Sequence, residues 1–85
     1  MAFQELEVVR VVASVPHGRA DRSLEAAQHP QPGDVGAVVM VHRVSAGEEP
    51  AYTVECVDPT GHTRWLADLL ESELESFQPG GRGAA

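Results

Sequence analysis

The chain has 85 residues, 42% of them hydrophobic, and a formal net charge of -7. This length allows a single domain, since domains typically contain about 50 to 250 residues. The six basic residues are arginines spaced singly among thirteen acidic ones, whereas a nucleic-acid-binding surface usually clusters its basic residues. One cysteine excludes an internal disulfide and a multi-cysteine zinc site. No apolar run approaches the ~20 residues of a membrane span, and the N-terminus lacks a signal-peptide pattern, so we expect a cytoplasmic protein.

The first predicted strand is the valine-rich run at residues 6–15, in which Arg10 is the only charged residue of the interior. β-branched side chains fit a pleated sheet better than a helix. A long loop rich in proline, glycine and histidine follows at residues 16–33. Its centre, residues 21–28, predicts one or two helical turns, and Pro30 and Pro32 end them.

The central part of the chain predicts two strands and a hairpin turn. Residues 34–44 contain five valines in a short stretch, and residues 51–57 alternate between apolar and polar side chains. Residues 45–50 form a polar turn between the two strands. Asp58-Pro59-Thr60-Gly61 predicts a tight turn, because proline favours its second position and glycine accepts a positive φ.

The C-terminal part predicts a return strand at residues 62–66. Closing the hairpin between Val57 and His62 would pair Cys56 with Thr63, Glu55 with Arg64 and Val54 with Trp65. A glycine bulge at Gly61 would shift this register by one residue.

Beyond that strand, residues 67–76 have the leucine spacing of a short helix. The alternative is a loop and a single turn before a last strand near residues 75–78. The tail, residues 79–85, has nothing to bury and is predicted to be disordered.

Four to five short strands with tight turns predict a mainly-β domain over residues 1–78, a small antiparallel barrel of about five strands with a short C-terminal helical turn. Closing the sheet hides its edges economically at this size. The alternative is an open three- or four-stranded sheet covered by a C-terminal helix.

Three segments carry a resemblance to a known group: QELEVV at residues 4–9, PGDVGAVV at 32–39 and YTVECVDPTG at 52–61. The chain resembles small uncharacterised bacterial proteins of the SH3-like barrel type, sometimes labelled PemI-like immunity or antitoxin proteins, with the pattern GDxGTVV followed by YxVEFxDxxG. The chain departs from that pattern by about a dozen inserted residues after Gly18 and by its acidic ending. Similar turns occur in KOW modules and in nitrile hydratase β subunits. The resemblance implies a fold and supplies no catalytic residue.

The glycine-rich segment Gly33-Asp34-Val35-Gly36 has two interpretations. A phosphate-binding loop would need a lysine and a following helix, and neither is present. We therefore predict that Gly33, Asp34 and Gly36 form a turn into a bent strand, as Pro59 and Gly61 form the hairpin turn.

Histidines 17, 29, 42 and 62 and Cys56 are residue types that bind zinc or nickel, but they lack the spacing of a metal motif. A serine nucleophile would need a base within hydrogen-bond reach and an oriented third group. Because a chain this short offers little volume for a pocket, we expect no metal, no cofactor and no catalytic site.

The acidic residues are the remaining candidates for function. Glu71, Glu73 and Glu75, with Glu48 and Glu49, would form an acidic surface beside leucines, and a solvated face is the alternative. Trp65 is either an interface anchor or a core residue. We expect a non-catalytic interaction module of the antitoxin or immunity type that binds a basic or catalytic protein. The alternatives are a KOW-like nucleic-acid-binding module, using Arg43 and Arg64, and an accessory subunit of a metalloenzyme. A homodimer through a strand edge is a further prediction.

Overall fold

The computed structural model describes residues 3–15, 29–42 and 47–77. In chain order it contains the strands β1 (Val8–Val11), β2 (Val35–His42), β3 (Ala51–Val57), β4 (Thr63–Leu70) and β5 (Leu74–Ser76). They form one antiparallel sheet in the order β4-β3-β2-β1-β5, with a 3-10 turn at Glu71–Glu73 before β5. The prediction of a mainly-β domain with about five antiparallel strands is confirmed.

The sheet curves around a core of inward-facing side chains. β2 pairs with β1 at its beginning and with β3 along most of its length, and its register with β3 shifts between Val38 and Met40. Such a bulge bends a strand and allows it to serve both halves of a curved sheet. The buried apolar residues are Val9, Val11, Val15, Val38, Tyr52, Val54, Cys56, Trp65, Ala67, Leu69 and Leu74.

Gly36 is required where β2 and β3 approach each other. A Cβ at Gly36 would lie 2.5 Å from the carbonyl oxygen of Glu55 and 2.9 Å from Cγ1 of Val54. Gly33 has a φ of +97° and precedes Asp34 in the turn into β2. The predicted turn into a bent strand is therefore confirmed, and the two glycines are needed for different physical reasons.

The hairpin turn between β3 and β4 is also confirmed. The Asp58 carboxylate accepts the backbone N–H of Thr60 at 2.9 Å and that of His62 at 3.0 Å. Gly61 has a φ of +94° and donates its N–H to the carbonyl oxygen of Asp58 at 2.9 Å. The Thr60 hydroxyl donates to the Asp58 carboxylate at 2.6 Å. This bond, and then the N–H groups of His62 and Thr60, lower the pKa of the Asp58 carboxyl.

The predicted helix at residues 67–76 is wrong, and the alternative of a turn before a last strand describes this segment. β4 continues to Leu70 and buries Trp65, Ala67 and Leu69 on one side. This period of two matches the pleat of a strand that pairs with β3 over its whole length. The leucine spacing fits both periods over so few residues. Pairing with β3 therefore determines that residues 67–70 continue the strand β4 and do not form a helix. The last strand also begins at Leu74 rather than near Glu75.

The predicted hairpin register is wrong by two residues. Cys56 pairs with Trp65, Glu55 with Leu66 and Val54 with Ala67, because the register shifts between Cys56 and Val57. A shift of two residues preserves the face on which each side chain lies. Trp65 and Val54 therefore still share the inner face, but the predicted pair of Glu55 and Arg64 does not form in this ladder.

Several predictions fall on residues that the structure does not describe. The helical turns at residues 21–28, most of the loop at 16–33 and the tail at 79–85 lie outside the described residues. No helix within the described ranges is long and apolar enough to cross a membrane.

Candidate functional site

The structure brings the predicted acidic residues before β3 close to those after β4. The backbone N–H of Ser72 donates to the Glu49 carboxylate, and the N–H of Glu71 donates to the carbonyl oxygen of Pro50 at 3.0 Å. Glu48 is exposed beside Glu49. The pairing of β3 with β4 places these acids at one end of the sheet.

Glu71 and Glu73, like Glu49, bind groups of the domain itself. The Tyr52 hydroxyl donates to Oε1 of Glu71 at 2.9 Å. The backbone N–H of Leu70 donates to Oε1 of Glu73 at 2.8 Å, and Glu73 is buried. Burial, and then the neighbouring Glu71 carboxylate, raise the pKa of the Tyr52 hydroxyl. Glu71 and Glu73 therefore stabilise the end of β4, and Glu73 presents little surface to a partner.

Glu75 lies on the other half of the sheet. It forms an ion pair with Arg10, the residue opposite it on β1. The Arg10 guanidinium also lies 5.4 Å from the centre of the Phe77 ring. Glu75 is therefore separate from the acids at the end of β4.

Trp65 belongs to the core and not to an accessible surface. Its side chain is fully buried, and its indole N–H donates to Oδ2 of Asp34 at 2.9 Å. The same carboxylate oxygen accepts the backbone N–H of Gln31 at 3.1 Å. Asp34 thus connects the turn before β2 to the centre of the core, and Trp65 is unavailable as an interface anchor in the folded domain.

A different surface combines apolar and acidic side chains. We call it the outer face: the side chains of β2, β3 and β4 that point away from the core. Met40 on β2 is 52% exposed, and Asp68 on β4 is exposed in the same row, with Thr53 of β3 between them. Leu66 and Leu70 are partly exposed on the edge strand β4. The strand register places the outer-face residues in three rows: Ala37, Glu55 and Leu66; Met40, Thr53 and Asp68; His42, Ala51 and Leu70.

Polar contacts cross the outer face at its centre. The Thr53 hydroxyl donates to Oδ1 of Asp68 at 2.6 Å and lies 2.6 Å from Nε2 of His42. Because the hydroxyl proton points to Asp68, Nε2 of His42 must donate to Thr53. Nε2 also lies 3.4 Å from Oδ1 of Asp68. An activated nucleophile would need its hydroxyl to donate to the histidine and the carboxylate to bind the other ring nitrogen. The arrangement suits fixing the side chains of a binding surface.

The described arginines do not form a basic patch. Arg10 pairs with Glu75, and Nη1 of Arg64 lies 3.7 Å from Oδ1 of Asp34 and 3.8 Å from Sγ of Cys56. Arg43, the other arginine of the nucleic-acid hypothesis, lies outside the described residues. The acidic side chains therefore dominate the field of the described surface.

The described histidines and the cysteine lie apart. His42 is on the outer face, His62 is in the hairpin turn beside Thr60, and His29 contacts Gln31. Cys56 is buried, and burial raises the pKa of its thiol. Over residues 3–15, 29–42 and 47–77, no three histidine, cysteine or acidic side chains are grouped to hold a metal ion.

Sequence reasoning missed the outer face because it assigned the wrong period to β4. A helix places Leu66, Leu69 and Leu70 on one side, whereas the strand buries Leu69 and leaves Leu66 and Leu70 on the outer face. The alternation of residues 51–57 was the available signal, since a hairpin partner of β3 must alternate in the same way.

Comparison with family models assigns this chain to a family, but the family's description gives no function. No curated protein and no solved structure matches the chain. The labels PemI-like and KOW-like, and the comparison with nitrile hydratase, therefore remain predictions. A family model matches residues 5–76. That match covers all five strands, and the chain belongs to the family described as a domain of unknown function (DUF4926).

Proposed function

We propose that this domain is a non-catalytic protein-interaction module that binds a basic protein through the outer face. The observation that carries the proposal is the combination on this face of the exposed Met40, the partly exposed Leu66 and Leu70, and the Asp68 carboxylate. Apolar side chains at the centre of a contact supply affinity, and surrounding charges supply specificity and speed of encounter.

The acidic end of the sheet extends this surface. Glu48 and Glu49 precede β3, and Glu71 follows β4 directly, so these acids flank the row that contains Ala51 and Leu70. A basic partner that contacts the outer face would experience attraction from these carboxylates before contact. The same field opposes a polyanion, and for this reason we prefer a protein partner to a nucleic acid.

The fold supports the SH3-like form of this proposal. Three features support this form, because each is expected of an SH3-like barrel: the order β4-β3-β2-β1-β5, a bulged second strand that pairs on both sides, and a 3-10 turn before the last strand. A fold of this kind hosts many functions, so the argument for binding depends on the outer face itself. An antitoxin or immunity role, in which the domain blocks a toxic protein, is the specific form that the resemblance favours.

Site-specific photocrosslinking in the native host tests the proposal. A benzophenone amino acid replaces Met40, and a matched control carries it at Val12, which is 45% exposed directly after β1. We expect an adduct with a basic protein from position 40, and its loss when Asp68 is replaced by lysine. Equal adducts from both positions, an adduct with nucleic acid, or a partner without net positive charge would contradict the proposal.

A further inference from the structure

Among the residues that the structure describes, none pairs with the outer edge of β4, which lies beside the outer face. β4 is the last strand on its side of the sheet, and within the described residues only β3 pairs with it. The N–H of Glu71 donates to the carbonyl oxygen of Pro50, in the same register as the β3–β4 ladder. In an antiparallel ladder the hydrogen-bonded pairs alternate with non-hydrogen-bonded pairs. Residues 65, 67 and 69 therefore direct their backbone groups toward β3.

The alternate residues Leu66, Asp68 and Leu70 direct their backbone groups outward. The bond from the Leu70 N–H to the Glu73 carboxylate agrees with this direction and closes the edge at that end. Among the described residues, no hydrogen bond between backbone groups reaches the outward N–H and C=O of Leu66 and Asp68. These four groups form a short template for one additional strand.

The same three residues determine which strand fits. Leu66, Asp68 and Leu70 present their side chains on the outer face, and Asp68 has 63% of its side chain exposed. A strand paired with this edge places every second side chain beside them. Opposite-charge neighbours favour a basic residue beside Asp68, and apolar neighbours favour apolar residues beside Leu66 and Leu70.

We propose that the β4 edge binds an extended basic segment of the partner by strand addition, with alternate residues reading apolar, basic, apolar along the outer face. Strand addition takes affinity from main-chain hydrogen bonds and specificity from alternate side chains. The pattern is symmetric, so it serves a parallel or an antiparallel segment. This inference rests on the proposed function and names the part of the partner that the outer face recognises.

Peptide titration of the full chain tests the inference. The probe is the peptide STLTRTLTS, and its control, STLTETLTS, reverses the central charge. We expect the arginine peptide to shift the amide resonances of Leu66 and Asp68, and to bind about tenfold more tightly than the glutamate peptide. Asp68→Lys should reverse this preference. A third peptide, N-methylated on the residues whose N–H groups would face β4, should lose binding.

Several results would overturn the inference. These are equal binding of the two charged peptides, resonance shifts away from β4, undiminished binding of the N-methylated peptide, or no binding. Dimerisation of the chain alone, with protection of the Leu66 and Asp68 amides, would assign the edge to a second copy instead. If these peptides fail while the Met40 adduct with a basic protein persists, the proposed function stands and only strand addition is wrong.

Discussion

Replacement of Gly36 by alanine tests the close contact of β2 with β3. The added methyl group would lie 2.5 Å from the Glu55 carbonyl oxygen and 2.9 Å from Cγ1 of the fully buried Val54. Overpacking of a well-packed core costs about 1–3 kcal/mol, and two such contacts place Gly36→Ala near the upper end. Loss of chain entropy in the unfolded state offsets about 0.4–1 kcal/mol. The expected net loss in the free energy of unfolding is therefore about 2 kcal/mol.

A second glycine provides the matched control. Gly61 has a φ of +94°, but nothing lies within 4 Å of a Cβ placed there. Gly61→Ala should therefore cost only about 1 kcal/mol, from the left-handed backbone alone. Urea unfolding, followed by Trp65 fluorescence and by far-UV circular dichroism, measures both variants. Thermal unfolding gives a second measure. A loss of 1 kcal/mol lowers the Tm of a domain of this size by about 4–8 °C, so Gly36→Ala should lower Tm by roughly 10–15 °C. A Gly36→Ala protein as stable as the wild type, or more stable than Gly61→Ala, would refute the steric argument.

Two further predictions concern carboxylates that stabilise the fold. The pKa of Asp58 is lower in the folded chain, so its contribution is present above the unfolded pKa of about 3.9 and is lost as the pH falls through the lower folded value. Asp58→Asn should therefore unfold with less dependence on pH below about 4 than the wild type, as acid titration followed by circular dichroism will show, and an unchanged profile would exclude this linkage. Trp65→Phe removes the hydrogen bond from the indole N–H to the Asp34 carboxylate, and Asp34→Asn weakens it. Each variant should therefore destabilise the chain by about 1.5–3 kcal/mol. A double-mutant cycle measured by urea unfolding tests this coupling, and additive losses would show that the two residues do not interact.

The strand predictions were confirmed where the spacing of apolar residues fitted a strand and did not fit a helix. Residues 51–57 alternate clearly between apolar and polar, and β3 has these bounds. The segment 67–76 fitted two periods, and its pairing with β3 decided for a strand to Leu70 and a 3-10 turn. The candidate site was predictable in the same measure. The acids were visible in the sequence, whereas Met40 and Asp68 come to lie in one row of the outer face only through the pairing of β2, β3 and β4.

The sequence by itself determined the class of the fold, the turns and the sign of the surface charge. Valine-rich runs, Gly33, Gly61 and the excess of acids act through local backbone preferences and net charge, which need no tertiary contact. Only the tertiary structure decided that Trp65 is buried against Asp34 and that Glu73 closes the edge of β4. Those outcomes depend on strand register, and a register is fixed by contacts between residues that are distant in the chain.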